Sequence, residues 1–274
     1  MSLRISRRKF VWAASSAWSF LNAGALGSFA KLSRPISGAH LTDAALQPQA
    51  DGQTTLKVLV FDVNQTLLDL NVLRPHFTRV FGDGRALDEW FSLLLHYSLV
   101  VTVTDAYADF GTVGRAVLEM MAGTKKIKLS PEDSAKILQG VLTMPAHPDV
   151  PEGLQRLRAA GFRMVTLTNS SPSAVKAQLQ NAGLTRFFDE SISVDSVRRF
   201  KPDLEVYRSA AAHLGEQPGE LLLIAAHPWD VFGAMKAGWR AAFIARNGIT
   251  PLPLGPAPTI SGPELKAIAD AILK

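Results

Sequence analysis

Short apolar runs alternate with amphipathic segments from residue 56 to residue 274. Uninterrupted runs of Val, Leu, Ile and Ala are typical of strands buried on both faces of a parallel sheet. Strands are predicted at Leu56–Phe61, Phe162–Leu167, Ile192–Val194, Leu221–Ala225 and Ala241–Ile244. The segments between them carry helix start and stop signals. The pattern therefore predicts an α/β fold with a doubly wound parallel sheet.

Three helices in the second half of the chain are marked by their ends. One is expected from Pro172, with Ser171 as N-cap, to the glycine at 183. A second is expected from Pro202 to Gly215, and a third ends at Gly238. The tail at 251–263 is rich in Pro and Gly and leads into a short amphipathic helix.

The segment between the first two predicted strands is too long for one crossover helix. It contains helical patterns at Ala86–Val101, Phe110–Ala122 and Pro131–Leu142 and no clear strand. We predict an all-helical cap at residues 73–148, inserted into a core made of residues 56–72 and 149–274. A helical cover at the end of the first strand would exclude water and enclose a small pocket. A packing or dimerisation module is the alternative, and the apolar Leu93–Leu95 face favours a homodimer.

Residues 1–39 have the features of an export signal. Arg7 and Arg8 precede a weakly apolar segment, and paired arginines in this position resemble the twin-arginine signal of bacteria. Small residues near 25, 30 and 39 offer three cleavage sites, and the sequence does not choose between them. We expect export by the twin-arginine machinery to the periplasm, with a linker at 40–55. A signal anchor in the inner membrane is the alternative.

The excess of positive charge in the chain is confined to that first segment. The formal net charge is +5, and residues 1–39 hold six basic and no acidic residues, so the remainder has a net charge of −1. No basic stripe with interleaved aromatics remains, which excludes a nucleic-acid partner. The absence of cysteine excludes disulfides and thiolate metal sites.

Polar residues follow the predicted strands at four places along the chain. They are Asp62, Asn64 and Thr66; then Thr168, Asn169 and Ser170; then Lys201; then His227 and Asp230. Each has a simpler explanation, such as a helix cap or a solvated lysine. The carboxyl ends of neighbouring parallel strands meet at one edge, however, so these groups are expected to converge there.

Four motifs in this order resemble the haloacid dehalogenase superfamily, and within it the type II L-2-haloacid dehalogenases. The motifs are Phe61–Leu67, Leu167–Ser171, Phe200–Tyr207 and Ala225–Ala234, with a similar cap segment at Glu89–Phe110. The resemblance covers about residue 56 to the end. It implies hydrolysis of a small (S)-2-haloacid to an (R)-2-hydroxyacid through an ester of Asp62, without a cofactor or metal.

The resemblance also implies a role for each site residue. Asp62 attacks C2 of the substrate, Lys201 orients Asp62, and Asp230 positions or activates the water that opens the ester. His227, in place of an amide, is a hydrogen-bonding helper. The substrate is expected to lie among Asn64, Thr66, Phe91, Thr168, Asn169, Tyr207, His227 and Trp229.

Two alternatives remain open. A magnesium-dependent phosphatase of the same superfamily is opposed by Asn64, which cannot act as a general acid, and by Ala226, where a second metal-binding acid would align. The second alternative is a non-catalytic protein that binds a small molecule. It is favoured by Phe91, because the type II dehalogenases that the chain resembles have a halide-contacting arginine at this position. Losing one donor to a developing anion costs on the order of 10²–10³ in rate.

Overall fold

The computed structural model describes residues 55–274. The predicted signal at 1–39 and nearly all of the predicted linker lie outside the described residues. Within residues 55–274, no helix is long and apolar enough to cross a membrane.

Six strands form one parallel sheet, in the order β3-β2-β1-β4-β5-β6. The strands are β1 Val58–Phe61, β2 Arg163–Thr168, β3 Glu190–Ser193, β4 Leu221–Ala225, β5 Arg240–Ile244 and β6 Ile260–Gly262. Strand order reverses between β1 and β4, and the carboxyl end of such a switch point is where ligands bind in open α/β sheets. The predicted α/β fold with a parallel sheet is confirmed.

Nine helices are formed by the described residues. They are α1 Arg74–Phe81, α2 Ala86–Val103, α3 Phe110–Thr124, α4 Pro131–Leu142, α5 Val150–Ala159, α6 Pro172–Asn181, α7 Leu204–Leu214, α8 Pro228–Lys236 and α9 Leu265–Ile272. Helices α5 and α9 pack together, as do α7 and α8. Right-handed crossovers in this strand order put these two pairs on opposite faces of the sheet.

The core of the sheet explains why β1 and β4 are uninterrupted apolar runs. All residues of both strands have at most 1% of their surface exposed, because helices cover both faces. The structure differs from the sequence prediction in two details. Helix α7 begins at Leu204 rather than Pro202, because Asp203 caps it by accepting a hydrogen bond from the backbone N–H of Glu205. The tail at 251–263, where no strand was predicted, contains β6, whose three residues pair with β5.

Helices α1 to α4 form a continuous insertion between β1 and α5, with no strand among them. Its two ends lie side by side. The backbone N–H of Asp69 donates to the carbonyl of Pro145 at 2.9 Å, and that of His147 donates to the carbonyl of Leu67 at 2.9 Å. The chain therefore leaves and re-enters the sheet at one place, next to the loop that follows β1.

Candidate active site

Asp62, Lys201 and Asp230 meet at the carboxyl ends of β1 and β4. The ammonium Nζ of Lys201 lies 2.8 Å from Asp62 Oδ1 and 2.7 Å from Asp230 Oδ2. It also donates to the carbonyl of Leu167, at the end of β2, at 2.9 Å. All three of its protons are thus used, and each of the three side chains is at most 5% exposed. Lys201 therefore holds the two acids in fixed positions on either side of it.

The second oxygen of Asp62 is also bound. Thr66 donates its hydroxyl hydrogen to Asp62 Oδ2 at 2.6 Å and accepts one from the backbone N–H of Ala226 at 2.9 Å. His227 Nδ1 lies 3.1 Å from the same Oδ2. An ionised carboxylate can only accept hydrogen bonds, so Nδ1 of His227 is the donor. Asp62 is consequently held at Oδ2 by residues that follow β1 and β4, and at Oδ1 by Lys201, which follows β3.

The side chain of Asp230 is also bound by Tyr207, which is fully buried. The Tyr207 hydroxyl donates to Asp230 Oδ1 at 2.6 Å. Gly233, one turn further along α8, makes this contact possible. A Cβ at that position would lie 2.6 Å from Pro202 and 2.8 Å from the Tyr207 hydroxyl. Tyr207 was predicted to bind substrate, and the structure places its hydroxyl on Asp230.

The two acids respond differently to their shared lysine. Burial acts to raise the pKa of Asp62, but the charge of Lys201 and the hydrogen bond from His227 outweigh it and hold this pKa well below its usual range. Burial raises the pKa of Asp230, and the negative charge of Asp62 adds to this effect. Burial would lower the pKa of Lys201, and the two carboxylates raise it instead. Asp62 is thus the ionised acid and Asp230 the more basic one.

His227 is enclosed by two aromatic rings. Its ring centroid lies 5.9 Å from that of Phe91 on α2 and 4.9 Å from that of Trp229, and both pairs are stacked. Its Nε2 lies 2.9 Å from Oε1 of Gln65. Gln65 adopts a left-handed backbone conformation with φ of 59°, which is uncommon for a residue other than glycine. Phe91 and Trp229 therefore fix the imidazole that contacts Asp62.

A cavity of about 290 Å³ lies between the insertion and the sheet. Most of its walls are apolar: Leu70, Trp90, Phe91, Leu94, Phe110, Leu138, Val141, Leu142 and Ala174. Asp62, Lys201 and Asp230 do not line it. Asn64 and Ser170 do, and Phe91 joins the cavity to His227 and so to Asp62.

Arg115 of α3 lies at the exposed rim of this cavity. It has no hydrogen-bond or ion-pair partner among residues 55–274, whereas Arg74, Arg79 and Arg85 of the same insertion are each paired with an aspartate. Arg115 was not predicted as a site residue. Its position on the cavity side of α3 is a matter of tertiary packing, which the sequence pattern does not reveal.

A chain of hydrogen-bonded polar side chains forms one wall of the cavity. Gln178 of α6 donates from Nε2 to the carbonyl of Val141 at 3.1 Å and to Asn64 Oδ1 at 2.9 Å. Asn64 donates from Nδ2 to the hydroxyl of Ser170 at 3.2 Å. Gln178 was missed by the sequence analysis, although it lies three residues after the buried Val175 and thus on the inner face of α6.

The two remaining predicted residues organise the loop after β2. Thr168 accepts a hydrogen bond at its hydroxyl from the backbone N–H of Ser170 at 3.1 Å. Asn169 accepts one at Oδ1 from the backbone N–H of Lys201 at 3.1 Å. Both are buried. Asn169 therefore ties the loop after β2 to the segment that carries the lysine.

Lys201 supplies one positive charge between the two acids of the site. Among residues 55–274, no group of three or more His, Asp or Glu side chains is arranged to hold a metal ion. The ammonium of Lys201 lies between Asp62 and Asp230 and contacts an oxygen of each.

The fold and this site define a parallel α/β protein with a buried aspartate at the end of its first strand, held by a lysine that also binds a second aspartate. A family profile described as haloacid dehalogenase-like hydrolase matches residues 56–238. The chain belongs to this family.

Characterised relatives narrow the comparison. The chain is 34% identical over 195 residues to an (S)-2-haloacid dehalogenase of Xanthobacter autotrophicus, covering 70% of this chain and 76% of the relative. It is 30% identical over 199 residues to (S)-2-haloacid dehalogenase 4A of Burkholderia cepacia, covering 72% of this chain and 86% of the relative.

Solved structures agree with these matches. The L-2-haloacid dehalogenase of Xanthobacter autotrophicus with chloropropionic acid covalently bound superposes with a TM-score of 0.75 at 27% identity, covering 80% of this chain and 99% of that one. A HAD phosphatase from Thermococcus onnurineus, at 21% identity and a TM-score of 0.52, shares the fold alone.

Proposed function

We propose that this protein hydrolyses the carbon–halogen bond of small (S)-2-haloacids to give (R)-2-hydroxyacids. The observation that carries the proposal is the Lys201 bridge, which fixes an ionised Asp62 beside a more basic Asp230. An ionised aspartate can act as a nucleophile, and a second acid of raised pKa can act as a base toward water. The (S)-2-haloacid dehalogenases among its relatives support this assignment.

In the first step an oxygen of Asp62 attacks C2 of the substrate from the side opposite the halogen. The new C–O bond forms as the carbon–halogen bond breaks, and the halide leaves with the bonding electron pair. The configuration at C2 is inverted. Lys201, Thr66 and His227 hold the carboxylate in position for this attack, which lowers the entropic part of the barrier.

In the second step water attacks the carboxyl carbon of Asp62. Asp230 takes one proton from this water and passes it to the oxygen of the substrate as the bond between that oxygen and the carboxyl carbon breaks, so the 2-hydroxyacid leaves. The second proton of the water is released to solvent, and the Asp62 carboxylate is regenerated with one oxygen from the water. The hydrogen bond from Tyr207 keeps Asp230 oriented toward this position.

The decisive test is the covalent ester. In an Asp230→Asn variant incubated with (S)-2-chloropropionate, intact mass spectrometry should show the ester accumulating, and the added substitution Asp62→Asn should abolish it. Asp69→Asn in place of Asp62→Asn is the control: it makes the same change outside the group formed by Asp62, Lys201 and Asp230, and the ester should still accumulate. In ¹⁸O water a single turnover of the unmodified protein should label Asp62. Absence of both ester and label, or phosphate release from simple esters that a chelator stops, would reject the proposal.

We propose that residues 1–39 direct export through the twin-arginine machinery, so that the protein works in the periplasm. The support is the Arg7–Arg8 pair before a weakly apolar segment that lacks acidic residues. Fractionation of cells should find the chain in the periplasm, and replacement of both arginines by lysine should retain it in the cytoplasm. A membrane-bound, uncleaved chain would indicate the anchor instead.

We propose that the insertion also forms a homodimer. Of the predicted Leu93–Leu95 face, Leu94 packs into the core, so the exposed surface of α2 is supplied by Leu99 and by Val103, which is 74% exposed. Light scattering should give twice the chain mass, and Val103→Asp should give a monomer. A monomer in both cases would refute the dimer.

A further inference from the structure

Gln65 has a backbone conformation that its residue type disfavours. Within residues 55–274, the residues other than glycine that have a positive φ are Gln65, Asp105, Lys126, Arg198 and Asn247. Gln65 is half-buried, and the other four are exposed. The left-handed region is costly for a residue with a side chain, and where such a residue persists, its surroundings hold it there. The glutamine at this position therefore needs a physical explanation.

The loop after β1 imposes this conformation on Gln65. The imidazole Nε2 of His147 donates to the carbonyl oxygen of Gln65 at 3.1 Å. The backbone N–H of Leu67 donates to the carbonyl of Val63 at 2.9 Å, which closes the turn around Gln65. A glycine would adopt the same conformation at less cost. The loop thus explains the backbone but not the choice of a long polar side chain.

The side chain of Gln65 is hydrogen-bonded to His227. Its Oε1 lies 2.9 Å from Nε2 of that ring, and Nδ1 of the ring lies 3.1 Å from Asp62 Oδ2. The stacked rings of Phe91 and Trp229 set the plane of the imidazole. They do not set its direction within that plane, because a half-turn about the Cβ–Cγ bond exchanges Nδ1 with a carbon and leaves the plane unchanged. The contact with Gln65 opposes this half-turn, since the turned ring would present carbon atoms to both oxygens.

The two oxygens of Asp62 differ in the hydrogen bonds that they accept. Within residues 55–274, Oδ1 accepts from Lys201 at 2.8 Å, whereas Oδ2 accepts from Thr66 at 2.6 Å and from His227 at 3.1 Å. A carboxylate oxygen has about two lone-pair sites. Oδ1 therefore keeps one site free to attack a substrate, while both sites of Oδ2 are occupied. Oδ2 is then the carbonyl oxygen of the ester.

Negative charge develops on Oδ2 when the ester is hydrolysed. As water adds to the carboxyl carbon, the C=O double bond opens and its electron pair moves onto Oδ2. Thr66 and His227 donate to this atom, and donors in such positions stabilise a developing oxyanion. In the first step, by contrast, Oδ2 loses charge as the ester forms. The hydrogen bond from His227 should therefore assist the second step and not the first.

We propose that Gln65 is a positioning residue for this second step. Its amide holds Nε2 of His227, so that the hydrogen on Nδ1 stays directed at Asp62 Oδ2 while water attacks the ester. The role in ester hydrolysis rests on the proposed dehalogenase function. The orientation of His227 by Gln65 does not.

Nuclear magnetic resonance of the ¹⁵N-histidine-labelled protein, without substrate and at one fixed pH, tests the orientation. The Nδ1 hydrogen of His227 should give a low-field signal, assigned by its absence from His227→Gln. Gln65→Gly should lose this signal, although glycine accepts the backbone conformation and the melting temperature should stay within about 3 °C. Gln65→Glu, whose side chain has the same length and can accept from Nε2, should keep it. A signal that persists in Gln65→Gly, or that is lost from Gln65→Glu, overturns the proposal.

Rapid quenching and intact mass spectrometry follow the ester of (S)-2-chloropropionate on Asp62. Gln65→Gly should slow ester hydrolysis about tenfold, less than the 10²–10³ that follows outright loss of a donor, and should change ester formation by less than about twofold. Lys126→Gly is the matched control, because Lys126 is exposed and has a φ of 56°, and it should change neither rate. Equal slowing of both steps by Gln65→Gly would indicate a general structural defect and overturn the proposal, as would unchanged hydrolysis.

The two measurements separate this inference from the proposed function. Loss of the Nδ1 signal from Gln65→Gly, with no ester in any of the proteins, would reject the dehalogenase function and keep the orientation of His227 by Gln65. An ester that forms and is hydrolysed at the same rates in the unmodified protein and in Gln65→Gly would support the dehalogenase function and overturn this inference.

Discussion

Replacing Lys201 by methionine removes the cation from the centre of the site while keeping much of the side-chain volume. Two carboxylates would then face each other without a positive charge between them, with side chains 5% and 0% exposed. Removing one partner from a buried ion pair costs about 3–5 kcal/mol, because the other charge stays buried. Asp62 would keep Thr66 and His227, so we expect a loss near the middle of this range, about 4 kcal/mol.

The cost should depend on pH, and its sign follows from the pKa shifts. In the unmodified protein the pKa of Asp62 is lowered, so its stabilising contribution is present above its unfolded pKa of about 3.9 and lost as the pH falls through the folded value. Without Lys201, burial is less opposed and the pKa of Asp62 rises, as that of Asp230 already does. A group with a raised folded pKa loses stability as pH rises, so the variant should recover toward low pH.

Urea unfolding of both proteins between pH 5 and pH 8 measures this directly. The difference in unfolding free energy should be largest at pH 8 and shrink toward pH 5, with a melting temperature about 10 °C lower near neutrality. Lys57→Met is the matched control. Lys57 also contacts two acids, Glu216 and Glu220, at 3.0 and 2.9 Å, but it is half exposed and should matter little. A pH-independent difference, or equal effects of the two substitutions, would refute this account of the site.

Three further predictions concern activity. Tyr207→Phe removes a hydrogen bond that stabilises ionised Asp230, so the pKa of Asp230 should rise. The acid limb of the pH profile of kcat should then move to higher pH. An acid limb that does not move would exclude Asp230 as the base. Phe91→Arg supplies a halide donor and should raise the rate of chloride release at least about tenfold, and an unchanged rate would argue for a different leaving group. Arg115→Gln should raise KM for anionic substrates about threefold to tenfold with little change in kcat, and added salt should reduce this difference in KM. Arg85→Gln is the control. Equal changes in KM for the two variants would show that the substrate anion does not bind near Arg115.

The fold was predictable because its strands are buried on both faces. Leu221–Ala225 was predicted with its observed ends, since a run of apolar residues between turn signals has one simple explanation. The strand at Ile260–Gly262 was not, because three partly exposed residues at the edge of a sheet carry no periodicity. Helix α7 was displaced by two residues because capping by Asp203 competes with the preceding proline as a start signal.

The triad was predictable for a topological reason, and the cavity was not. Residues that follow neighbouring parallel strands lie close together, so Asp62, Lys201 and Asp230 were expected at one place. In the structure the ammonium group of Lys201 is hydrogen-bonded to both aspartates. Gln178 and Arg115 lie on helices, where a polar residue usually faces solvent. The spacing from Val175 places Gln178 on the inner face of α6, but the position of Arg115 beside the cavity depends on how α3, α4 and α6 pack, which no local pattern encodes.

The neighbouring junctions of the helical insertion bear on how such a protein can change over evolutionary time. The backbone of Asp69 is hydrogen-bonded to Pro145, and that of His147 is hydrogen-bonded to Leu67. The segment between Asp69 and His147 therefore begins and ends at the same place. A foreign segment with the same two ends could be grafted there without disturbing the register of the sheet. Reactivity and substrate selectivity could therefore evolve separately, because the reactive residues follow the strands of the core whereas much of the cavity wall belongs to the one inserted segment.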